Sequence, residues 1–147
     1  MQHKKYQASR LAMTLLLISM ILSACSGVGD WTVSNLPGGY AVWRINSDNV
    51  ILCLPRENRS TAATVIETYV FELAFNEDYI FAKRADVPEG GWRYMDKSNP
   101  DYYIVTVADR SCSGPLDETA FAEALQALEL DEPPEWMNMQ TLRRRVG

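Results

Sequence analysis

A single histidine, His3, is present in 147 residues, and lysine is confined to Lys4, Lys5, Lys83 and Lys97. Each shortage removes a class of chemistry. A Ser-His-Asp or Cys-His nucleophile needs an imidazole to take the proton, and a His-bearing zinc site needs one as ligand. Neither Lys83 nor Lys97 has a serine three residues upstream, so the Ser-x-x-Lys arrangement is missing too. The three cysteines, Cys25, Cys53 and Cys112, form no C-x-x-C motif, which argues against a redox-active pair. The longest apolar run, residues 11–22, is shorter than the roughly 20 residues a membrane-spanning helix needs.

What is present begins with that run. Lys4, Lys5 and Arg10 precede it and Ser23, Ala24 and Cys25 follow it, the order charged, apolar, small of an export signal. Its end, Leu22-Ser23-Ala24-Cys25, resembles the lipobox of bacterial lipoprotein signal peptides. The resemblance implies that residues 1–24 are removed and that Cys25 becomes the acylated first residue. The plainer alternative is an ordinary secretory peptide. Two or three acyl chains would hold a protein on a membrane almost permanently, since one chain alone gives only marginal binding. Ser26 in the second position resembles lipoproteins sent to an outer membrane, so the expected location is the cell envelope, facing the periplasm if the host has two membranes.

Residues 1–24 hold three basic side chains, no acidic one and the histidine. The remaining 123 residues therefore carry 11 basic against 19 acidic side chains, a balance of −8. That length suits one domain. Such a charge opposes nucleic-acid binding, which needs a basic footprint, and it repels anionic lipid, so the acyl chains are expected to be the membrane attachment. Cys53 and Cys112, an even number in an exported chain, are expected to form a disulfide; two buried free thiols are the alternative. The bridge would close a loop of 59 residues and contribute about 4 kcal/mol in the chain-entropy model.

Residues 25–30 read as a short tether. From Tyr40 the pattern alternates, Ala41, Trp43 and Ile45 on one face and Tyr40, Val42 and Arg44 on the other. Residues 46–49 supply a turn into an apolar strand at 50–54, stopped by Pro55. One long strand is expected over 65–75, a three-residue turn at 76–78, and a hairpin partner over 79–83. Further strands are expected over 92–95 and 102–108, each preceded by turn residues. After Gly114-Pro115, Asp117 caps a helix whose face is Phe121, Ala124, Leu125 and Leu128, with Leu116 and Phe121 as a hydrophobic staple. Residues 31–131 thus read as one α+β domain, an antiparallel β-meander of about five to six strands packed by a C-terminal α-helix. Residues 132–147 read as a tail, with a short helix starting at Pro134 and Arg143, Arg144 and Arg145 at its end as the alternative.

The combination Leu36-Pro37-Gly38-Gly39-Tyr40, Tyr79-Ile80-Phe81-Ala82-Lys83, Tyr102-Tyr103-Ile104-Val105 and Gly114-Pro115-Leu116 before an acidic helix resembles a family of small bacterial lipoproteins that carries a domain of unknown function. The resemblance implies fold and location. It brings no activity and no site residues.

Candidate sites are few. Gly38-Gly39 and Gly90-Gly91 lead into strands rather than helices, so they read as turns and not as phosphate loops. Residues 96–101, DKSNPD, lack the glycine a calcium loop needs at its sixth position and read as a turn. No metal, cofactor or catalytic residue is assigned. Most aromatic residues are expected in the core; Tyr40, Trp92, Tyr94 and Tyr102 are the candidates for exposed contacts. The expected function is a lipid-anchored, non-enzymatic binding or structural protein of the envelope with an envelope protein as partner. One alternative is an inhibitor or immunity protein whose acidic face blocks a basic envelope-acting enzyme. The other is a carbohydrate-binding or carboxylate-dependent hydrolase domain, marked by an aromatic groove between carboxylates.

Overall fold

The structure, a computed structural model, describes residues 30–57 and 60–147; residues 1–24, expected as a signal, and Cys25 lie outside the described residues. Among the described residues nine strands form two antiparallel sheets, with one α-helix before the last strand and another after it. The first sheet is β1 (Trp31–Val33), β2 (Ala41–Asn46), β3 (Asn49–Pro55) and β4 (Ala62–Ile66), in that order. The second comprises β5 (Val70–Phe75), β6 (Tyr79–Arg84), β7 (Asp101–Thr106), β8 (Cys112–Leu116) and β9 (Met137–Asn138), in the order β8-β7-β6-β5-β9. Helix α1 is Glu118–Ala127 and α2 is Met139–Val146. No helix of the described residues is long and apolar enough to cross a membrane.

Three layers result from the period-two alternation of side chains. Val42, Val50 and Leu52 of the first sheet share one core with Leu73, Ile80, Ala82 and Val105 of the second. The alternate residues of the second sheet, Ala74, Phe81 and Ile104, point the other way and pack under Phe121 and Leu125 of α1. Asp117 caps α1 by accepting from the Ala120 N–H at 2.8 Å, and Leu116 joins Phe121 in the same cluster. The α+β class and the antiparallel strands with their C-terminal helix are thus as the sequence implied.

Two expected elements take a different form. The run over 65–75 is not one strand: the chain leaves the first sheet after Ile66 and enters the second at Val70. An irregularity between Val70 and Glu72 then puts Val70 and Phe71 together in the main core. Residues 92–95 do not make a strand; Trp92–Tyr94 form a single 3₁₀ turn within the connection between β6 and β7.

Residues 132–147 are part of the fold, not a tail. Met137 and Asn138 pair with Leu73 and Glu72, and the Asn138 side chain accepts from the Thr141 N–H at 2.9 Å, starting α2 there rather than at Pro134. Leu142 is fully buried in the core between the sheets. Trp136 covers the helix side of the second sheet, 6.4 Å from the Tyr102 ring, while Lys83 lies 4.3 Å over the Trp136 face and 2.8 Å from Glu72.

The expected disulfide is absent: Cys53 and Cys112 are free. Cys53 belongs to the outer face of the first sheet, clustered with Ala41 and Ile51, where its thiol donates to the Ala41 carbonyl at 3.4 Å. Cys112 lies exposed on β8, the edge strand of the other sheet. A residue on the outward face of one sheet cannot reach across the core, and a bridge needs Cα atoms within about 7 Å. We expect a thiol reagent at neutral pH to modify Cys112 in the folded protein and Cys53 only on unfolding. Reductant should leave the urea midpoint unchanged.

Candidate functional site

The connection over 85–100 joins β6 to β7 and is long for a hairpin, where two to five residues are usual. Asp48, in the β2–β3 turn, fixes it by accepting from the Trp92 N–H at 2.8 Å. The segment folds back over the end of the second sheet and leaves a groove of about 450 Å³ lined by Arg84, Asp86, Tyr94, Asp96, Asn99 and Asp101.

Arg84 organises the floor. Its Nε donates to the Thr68 carbonyl at 2.9 Å and Nη1 to Asp101 at 2.6 Å, while Nη2 pairs with Asp86. Burial works against its charge, but the hydrogen bond to Asp101 and the fields of Asp86 and Asp101 outweigh it and hold its pKa above the usual value. Asp96 accepts from the Ser98 hydroxyl at 2.7 Å and its N–H at 2.8 Å, which holds its carboxyl below the ordinary range. Thus DKSNPD forms a side-chain-capped turn, as its composition implied. Among the described residues no three His, Cys, Asp or Glu side chains gather as metal ligands.

Of the four candidate contact residues, Tyr94 alone stands out from the surface, 75 % exposed. Tyr40 is buried, 1 % exposed, because it closes the main core beside Leu36. Trp92 is half-buried against the same core. Tyr102, also half-buried, stacks on Phe121 with centroids 4.5 Å apart. Arg84, Asp86 and Asp101 were not singled out from the sequence; the signal available was the length of the 85–100 connection with its Pro88, Gly90, Gly91 and Pro100. A larger concavity of about 530 Å³ lies on the outer face of the first sheet between Gly39, Trp43 and Arg56.

The glycines of the motifs quoted above have packing reasons. Gly38 has φ +66°, and a Cβ there would stand 2.7 Å from Val107 Cγ1; at Gly114, φ +141°, it would stand 2.5 Å from the Tyr103 ring. Both glycines let the backbone pack closely against β7 and the residue just beyond it. Fold and groove define a two-sheet α+β domain with a preformed polar groove and no assigned chemistry.

The chain belongs to the family described as Protein of unknown function (DUF3997), which matches residues 37–139. That stretch includes the groove, Gly38 and Gly114. No curated protein and no solved structure matches the chain.

Proposed function

We propose that the protein is a lipid-anchored component of the bacterial cell envelope whose domain binds a partner without performing chemistry, with the Tyr94 groove as the contact surface. The anchor rests on the Leu22-Ser23-Ala24-Cys25 sequence. The observation that carries the binding reading is Tyr94, a large ring held out beside a polar floor already ordered by Arg84. Exposed aromatic side chains on a fixed frame give contact area at low entropic cost. Hydrolysis at paired carboxylates would need a general acid with a raised pKa, whereas the carboxyls displaced from their ordinary range, Asp96, Asp109 and Glu135, are all displaced downward. Asp86, Asp96 and Asp101 suit a cationic partner, the charge pattern of an inhibitor of a basic envelope enzyme.

A second reading has a specific observation behind it: an aromatic face next to carboxylates and Asn99 also suits a saccharide. The test is co-purification of the acylated protein from solubilised envelope, with Tyr94→Ala as the variant. Recovery of the specific partner is expected to fall about tenfold, the loss of a contact worth about 1.4 kcal/mol, with an unchanged circular dichroism spectrum. Undiminished recovery with Tyr94→Ala would remove the groove from the interface. Quenching of tryptophan fluorescence by cell-wall saccharides, lost in the same variant, would select the second reading.

A further inference from the structure

Helix α2 carries charge of the sign opposite to the rest of the domain. Arg143, Arg144 and Arg145 are consecutive and exposed in its last turn. Arg145 is engaged by Glu135 at 2.7 and 3.3 Å. Arg143 and Arg144 form no ion pair among the described residues, whose four pairs are Lys83–Glu72, Arg84–Asp86, Arg84–Asp101 and Arg145–Glu135. The Arg143 guanidinium lies instead 5.0 Å from the centre of the Trp31 ring.

Trp31 is where the chain enters the domain. Five residues, 26–30, separate it from Cys25, so its Cα lies within roughly 20 Å of the acylated residue even with the connection fully extended. The β1–β2 register places Arg44 opposite Trp31. The basic patch is rigidly attached to this entry point: Leu142 is buried beneath it, and the Asn35 side-chain amide donates to the Val146 carbonyl at 3.0 Å. Asp30 is the nearest carboxylate in sequence and offsets one of the charges.

We infer that Arg143 and Arg144, with Trp31, form a second membrane contact that rests on the anionic phospholipid headgroups of the bilayer holding Cys25. The inference rests on the lipid-anchor reading. The acyl chains supply the affinity; the arginines supply orientation. A domain with a net charge of −8 is repelled by an anionic surface, and its one basic patch near the tether is the part that such a surface attracts. Tryptophan is suited to the headgroup layer, where its ring meets apolar and polar surroundings together. The patch therefore faces the bilayer.

The test uses the acylated full protein reconstituted into vesicles of phosphatidylcholine alone or of phosphatidylcholine and phosphatidylglycerol in equal parts. Arginine side chains are labelled with phenylglyoxal and located by mass spectrometry. Labelling of Arg143 and Arg144 is expected to fall about tenfold in the anionic vesicles and to recover in high salt. Arg110, exposed in the β7–β8 turn beside Tyr40, should not change. In Arg143→Gln the protection of Arg144 should weaken while the protein still floats with the vesicles. Equal labelling in both lipids, with flotation intact, overturns the inference and leaves the anchor standing. A protein that floats with neither vesicle overturns the anchor, and the inference with it.

Discussion

Phe81→Ala is expected to destabilise the domain by about 3 to 5 kcal/mol, the range for deleting a buried ring from a packed core. Phe81 is fully buried on β6, a central strand of the five-stranded sheet. Its ring meets Phe121 of α1 edge-on at 6.2 Å and lies 6.0 Å from Tyr79. β5 and β7 are hydrogen-bonded to β6 on both sides, so the backbone cannot close the space left behind. Against a typical total of about 5 to 15 kcal/mol, this is about a fifth of the stability at the least. The measurement is urea denaturation, with a lower midpoint and an unchanged slope. Ile45→Ala, at a position 46 % exposed, is the control and should shift stability by no more than about 0.5 kcal/mol. A Phe81→Ala midpoint equal to the wild type would mean that α1 does not dock on the sheet as described.

Stability should fall steeply as the pH is raised from 9 towards 12. Burial pushes the Cys53 thiol up from its ordinary value of 9.0 to about 12. Burial likewise raises Tyr40, where the positive charge of Arg110 opposes it, and also Tyr69 and Tyr103. In this window the unfolded chain loses the Cys53 proton and the folded chain keeps it. The unfolded state then binds fewer protons, so the free energy of unfolding decreases as pH rises. Below pH 9 both states hold the proton and the contribution is constant. At about 1.4 kcal/mol per pKa unit, Cys53 alone accounts for up to about 4 kcal/mol, with the tyrosines adding to it above pH 10. Urea midpoints measured across the window should fall less steeply in Cys53→Ala. An equal slope in that variant would assign the whole effect to Cys112, whose thiol burial also raises, and the tyrosines.

The sequence showed its strands wherever one face was apolar and a turn stood at each end. In β2 the alternation separated Ala41 and Trp43 from Tyr40 and Val42, as found, but it did not tell which face turned inward, and Tyr40 lies in the core rather than at the surface. For α1, Asp117 and the Phe121, Leu125 stripe fixed both the start and the buried face. The passage between the sheets was not legible, because polar and apolar residues keep alternating through 65–75 with no glycine or proline at the crossing. The strand expected over 92–95 failed for a related reason: its aromatic residues matched a sheet face, but Gly90 and Gly91 belong to the turn that bends the segment back. The groove escaped notice because Arg84 and Asp101 face each other only through the β6–β7 register. Cys53 and Cys112 looked like a pair by number, whereas pairing is decided by which face of which sheet each occupies.

Asn138 ends β9 and caps α2, and four residues later Leu142 fills the space between the sheets. A chain made from its N-terminus therefore completes both sheets' longer strands well before it possesses the side chain that plugs their shared interior. Without Leu142 the shared interior would lie open beside β1 and β5, the strands against which α2 packs, so the joining of the two sheets depends on the last element of the fold.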